Sequence, residues 1–78
     1  MPRFFFDIHD GTSQTRDEEG HDFINASVAC EQAVGVLPDI ARDTLPIYSQ
    51  HQFVTQMRDE SGKIIFTATL SLMTKWLE

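Results

Sequence analysis

Near the start of the chain, Phe4, Phe6 and Ile8 alternate with Phe5, Asp7 and His9. That period-2 pattern predicts a strand with one apolar and one mixed face. Asp10-Gly11 follows and suits a tight two-residue hairpin turn, whose central positions need φ > 0. Thr12 to Arg16 reads as a short polar edge strand pairing back on the first. Asp17-Glu18-Glu19-Gly20 has no periodicity and reads as a loop, with Gly20 at a positive-φ position.

The period then changes. Asn25 is a good N-cap, and Ala26, Ala29, Cys30, Ala33, Val36, Leu37, Ile40 and Ala41 fall close to a helical stripe. Phe23 or Ile24 is placed to staple the first turn. Gly35 and Pro38 disturb the helix. A kink near Val34 is favoured over a break, because the stripe passes Pro38 without changing phase. Pro46 ends the helical region by about Leu45, and Ile47 to Gln50 form a connection.

Two more strands follow. Gln52 to Arg58 sets Phe53, Thr55 and Met57 on one face and Val54, Gln56 and Arg58 on the other. Asp59 to Gly62 is a turn, with Gly62 placed for the left-handed residue of a three- to five-residue hairpin. The last strand, Lys63 to about Lys75, carries Ile64, Phe66, Ala68, Leu70 and Leu72 on one face.

The expected fold is therefore α+β, in the order β-β-α-β-β. One helix, kinked at Pro38, packs on one face of a four-stranded, mainly antiparallel sheet. The apolar first and last strands are expected in its middle, in the order 2-1-4-3 or 2-1-3-4. The expected core is Phe4, Phe6, Ile8, Phe53, Met57, Phe66, Ala68, Leu70 and Leu72 against the helix stripe. The second sheet face keeps Phe5, Val54, Ile65, Thr67, Thr69 and Met73. This half-apolar surface suits a dimer or another protein partner.

Composition narrows the function. The 78 residues suit one small domain spanning 1–78, which buries only roughly 60–65% of its extended-chain surface, so association would help complete its core. A net charge of −6 argues against direct binding to nucleic acid or anionic lipid. Cys30 is the only cysteine, which excludes an internal disulfide and a cysteine zinc site. Phe4-Phe5-Phe6 is too short for a signal peptide core, and no stretch reaches the ~20 apolar residues of a membrane span. The expected location is cytoplasmic.

Several stretches resemble a known family. Met1-Pro2-Arg3-Phe4-Phe5-Phe6-Asp7-Ile8-His9-Asp10-Gly11 with Asp17-Glu18-Glu19-Gly20 is similar to the opening of a family of short bacterial domains of unknown function. Ile40-Ala41-Arg42-Asp43, Arg58-Asp59-Glu60 and Gly62 are similar to it too. The polar second strand, Gly35 with Pro38, and Asn25 depart from its pattern. The resemblance covers nearly the whole chain. It implies a small α+β domain and no activity, cofactor or substrate.

The candidate chemistry is sparse. Asp7, His9, Asp17, Glu18 and His21 are the candidate metal ligands, joined by Asp10, Glu19 and Asp22 in the same acidic stretch, but their spacing matches no ligand pattern. Acidic turn residues that cap backbone N–H groups are the simpler reading. Cys30 has no paired His, and Ser61, Thr67 and Ser71 have no base at a recognisable spacing. The glycines match no phosphate-binding pattern. The expectation is a protein without enzymatic activity or cofactor. It acts as an interaction or regulatory module that binds another protein or itself as a homodimer. Phe5, Val54, Ile65, Thr67 and Trp76 are its candidate contacts. The alternative is a metal- or small-ligand sensor built on the acidic His/Asp cluster.

Overall fold

The structure, a computed structural model, describes residues 1–11, 13–44 and 50–78. Its elements are β1 (Arg3–His9), β2 (Gln14–Thr15), β3 (His21–Asp22), α1 (Ala26–Thr44), β4 (His51–Arg58) and β5 (Ile64–Leu72). The α+β class and the β-β-α-β-β order hold, with β3, just after the expected Asp17–Gly20 loop, as a short fifth strand that was not expected. Leu45, Pro46, residues 47–49 and Thr12 lie outside the described residues, and with them the expected helix end and the start of the second strand.

The sheet runs β2-β1-β4-β5, and β3 pairs with β1. All pairings are antiparallel. Of the two expected orders, this is 2-1-3-4 with β4 as the third strand. The expectation that first and last strands share the middle is overturned. β4 is central instead, and β5 is an edge. The centre falls on β4 because Phe53, Thr55 and Met57 lie under α1 almost without solvent, at 1%, 0% and 1% exposure. The Thr55 hydroxyl is buried there without a partner among the described residues.

The first hairpin is also wider than its Asp-Gly suggests. His9 pairs with Gln14, so the loop spans residues 10–13. A two-residue turn would need φ > 0 at Asp10, yet only glycines have positive φ among the described residues, Gly11 at 95°. Asp10 instead accepts from the Ser13 N–H through Oδ1 at 2.8 Å. The second hairpin agrees better with expectation: Gly62 has φ 90°, and the Asp59 carboxylate accepts from the N–H groups of Ser61 and Lys63.

Helix α1 begins where Asn25 predicts. The Asn25 Oδ1 accepts from Val28 N–H at 2.9 Å. Phe23 is the residue that folds back, its ring 5.8 Å from Phe6 and 6.2 Å from Phe4, while Ile24 stays exposed. Ala29, Ala33 and Leu37 bury one stripe, and Ala26 does not join it. The helix continues unbroken through Pro38. Among the described residues no helix is long and apolar enough to cross a membrane.

α1 lies mainly over β4 and β5 and touches β1 least. The tight core is Phe4, Phe6, Ala29, Ala33 and Met57, flanked by Phe23, Cys30 and Phe66. The predicted core members Ile8, Ala68 and Leu72 are only half-buried, and Leu70 is 37% exposed. The β5 residues fall short because an edge strand has a neighbour on one side only.

Gly35 sits mid-helix, and a Cβ at that position would have nothing within 4 Å, so Gly35→Ala meets no clash. It should stabilise the fold by about 0.5–1 kcal/mol through helix propensity, read as a higher urea midpoint at unchanged slope.

Candidate functional site

Two regions qualify as sites, one at each edge of the sheet. The first is built on Asp7. Its place among Phe5, Phe6 and Ile8 puts a carboxylate in an apolar strand, and Asp7 is 6% exposed. Such a charge needs a partner. Arg58, at the end of β4 and 8% exposed, provides it: Nε donates to Asp7 Oδ2 at 2.7 Å and Nη2 to Oδ1 at 3.1 Å. The Arg58 guanidinium lies 5.0 Å from the Phe5 ring centre.

The same pair holds the β2–β3 loop. Arg58 Nη2 donates to the Asp17 carbonyl at 2.6 Å, and Asp17 N–H donates to Asp7 Oδ1 at 3.0 Å. The Asp17 carboxylate accepts from the N–H groups of Phe6, Glu19 and Gly20 at 3.1, 3.2 and 3.0 Å. Phe6 lies between the parts of β1 that pair with β3 and with β2. Asp17 thus fills the gap on the outer edge of β1. Gly20, at φ 71°, lets the loop press on Phe5: a Cβ there would come within 2.8 Å of that ring.

These contacts set the protonation. The Arg58 guanidinium holds the Asp7 carboxyl below the usual 3.8, against the opposing effect of burial, with the Asp17 N–H assisting. Burial raises Asp17, but the N–H donors of Gly20, Phe6 and Glu19 outweigh it and leave it lowered. Asp7 in turn raises Arg58. Both carboxylates are thus engaged in holding the chain.

α1 lies closer to β4 and β5 than to β1, and a cleft of about 510 Å³ opens beside this edge. Phe6 and Ile8 line it from β1, Arg16, Glu18 and His21 from the loop and β3, and Gln32 and Val36 from α1. The candidate ligands Asp17, Glu18 and His21 therefore meet at one cleft. Asp7 faces Arg58, and His9 accepts from the Gly11 N–H at 3.2 Å. Among the described residues no group of three or more His, Cys, Asp or Glu side chains is arranged to hold a metal ion.

The second region is the opposite edge. β5 pairs with β4 alone among the described residues. Ile65 is 39% and Ile64 50% exposed, Thr67 and Thr69 are exposed, and Trp76 in the following tail is 92% exposed. Of the other candidate contacts, Val54 is half-buried in the central strand and Phe5 is half-buried beside Arg58.

Residues 3–71 match the family described as Domain of unknown function (DUF6894). The chain belongs to that family. No curated protein and no solved structure matches it. Within this DUF6894 chain, sequence reasoning missed Arg58 as the partner of Asp7. The signal was available: Arg58 shares a strand face with Val54 and Gln56, and a lone carboxylate inside β1 requires a cation nearby.

Arg58→Ala should cost about 3–5 kcal/mol, since it leaves a buried carboxylate unpaired. The Asp7→Ala/Arg58→Ala pair should cost less than the two single changes added together, as urea unfolding will show. A single-variant loss under about 1 kcal/mol would contradict the assignment.

The pH response has a defined sign. Below about 3.8 the unfolded chain takes up protons on Asp7 and Asp17 that the folded chain resists, so stability falls with pH. The melting temperature should be nearly flat from pH 8 to about 5 and drop below that. The drop should be shallower in Asp7→Leu/Arg58→Met than in the wild type. Equal slopes would show that the pair does not titrate as described.

Proposed function

We propose that the protein works by binding protein, its own second copy first of all, through the β5 side of the sheet. The observation that supports this is the state of that edge. β5 offers nine residues of open strand, and its partner groups lie on one side only. From Ile64 to Thr74 the sequence contains no charged residue and no proline. Soluble proteins ordinarily guard such an edge with lysine, proline or inward charges. Here the −6 net charge resides elsewhere in the chain, and the only irregularity is a bulge at the Met57/Arg58 end of the pairing.

The energetics suit this reading. Ile64, Ile65, Leu70 and Trp76 remain accessible on or just beyond this strand. Covering apolar area contributes roughly 25 cal/mol per Å², so ~400 Å² supplies on the order of 10 kcal/mol before association costs. A thin-cored domain gains more from this than a large one. In the regulatory form of the proposal the bound partner is basic, and the surface of this chain, at net charge −6, masks it.

A second reading is favoured by the cleft beside Arg16 and His21, which is large enough for a small ligand. Its test uses His21→Ala or Glu18→Gln, because Asp17 holds three backbone N–H groups and its loss would disturb the fold. A ligand that raises the melting temperature of the wild type and not of these variants would support it. No shift with Mg, Mn, Zn or Ca would remove its metal form.

For the leading proposal, light scattering on the tag-free protein should give a dimer mass at high concentration. Thr69→Lys, which places a charge on the exposed edge, should weaken the dimer at least tenfold while leaving the melting temperature unchanged at concentrations where the wild type is monomeric. A monomer at high concentration, with no partner in a pull-down, would contradict the proposal.

A further inference from the structure

Resting on the self-association reading, we infer that two copies pair β5 against β5 about a two-fold axis at Leu70, with each tail completing the other's strand. The argument starts from side-chain alternation. Phe66, Ala68, Leu70 and Leu72 occupy the helix-side face of β5, opposite Met57, Thr55, Phe53 and His51. Continued at the same period, that face receives Thr74 and Trp76. β5 stops at Leu72, where its last pairing is with His51, the first residue of β4. The alternation therefore outlasts the partner strand. Met73, Trp76 and Leu77 follow it into solvent at 72%, 92% and 85% exposure.

A second copy supplies the missing partner, and symmetry restricts how. Directly opposed residues in an antiparallel pair lie on the same sheet face. A two-fold axis perpendicular to the sheet must then pass through a residue rather than between two. The regular, uncharged stretch runs from Phe66, the first residue past the bulge, to Thr74, and its midpoint is residue 70. Pairing there joins the whole stretch, whereas a shift to Ala68 or Leu72 leaves part of it unpaired. It sets Leu70 against its own copy, Leu72 against Ala68 and Thr74 against Phe66. Leu70 is the most exposed large apolar residue on this face of β5 from Phe66 to Leu72. The stretch holds no charge, and Lys75, the residue after it, falls near opposite ends of the assembly in the two copies. Both helices lie on one side of a continuous sheet.

The test exploits the single cysteine and single tryptophan. In a Cys30→Ser background, Leu70→Cys should form an intermolecular disulfide on mild oxidation. Opposed Cα atoms in such a pair are ~4.5–5.5 Å apart, within disulfide reach. Ile65→Cys should not crosslink, since its two copies would stand ten residues apart, about 34 Å. Trp76 emission should shift to the blue as concentration rises through the dimer range. Circular dichroism of each variant confirms that it folds. A wild-type dimer in which Ile65→Cys crosslinks and Leu70→Cys does not would overturn this pairing in favour of face-to-face contact and leave self-association standing. Crosslinking through Ala68→Cys in place of Leu70→Cys would overturn the position of the axis. A wild-type dimer with unchanged Trp76 emission would overturn the role of the tail. A wild-type monomer at high concentration would overturn both the pairing and the reading beneath it.

Discussion

The structure depends on the contact between Asp7 and Arg58. Two charges taken out of water are costly unless they meet in good geometry. Here the carboxylate receives two bonds from the guanidinium and a third from the Asp17 N–H. The consequence reaches beyond β1 and β4. Arg58 also binds the Asp17 carbonyl, and the Asp17 carboxylate closes the gap in the outer edge of β1. One ion pair thereby joins the middle of the sheet to the segment that protects its far side.

That arrangement makes the two edges of the sheet unequal. β1 is guarded by β2, β3 and a carboxylate between them. β5 is longer, uncharged and unguarded. The helix also lies toward β4 and β5, with the cleft open over Phe6 and Ile8 and Leu70 still partly exposed. The carboxylate and short strands that close β1 lie at one edge of the sheet, and the uncharged open strand lies at the other. The proposed association uses the second edge and leaves the first undisturbed.

Much of this was legible in the residues, for physical reasons. Strand and helix periods located β1, β4, β5 and α1, and Asn25 marked the helix start because its side chain accepts a first-turn N–H. Gly20 and Gly62 were readable as positive-φ positions. Strand order was not readable, because β5 looks as apolar as a central strand while its exposure arises from having one neighbour. β3 was hidden because two residues, His21 and Asp22, carry no period. Asp10-Gly11 misled because Asp10 stabilises a wider loop through its own side chain. For the candidate site, Asp7 and Asp17 were visible as an acidic cluster. Their engagement with Arg58 and backbone N–H groups depends on tertiary proximity that spacing does not encode.

The most direct check of the account is hydrogen–deuterium exchange across β5 and the tail, measured at low and high protein concentration. The account predicts that amides between Ile64 and Trp76 gain protection as concentration rises, while β1 and β4 change little. Exchange in this stretch that is independent of concentration, up to the highest attainable, would contradict it.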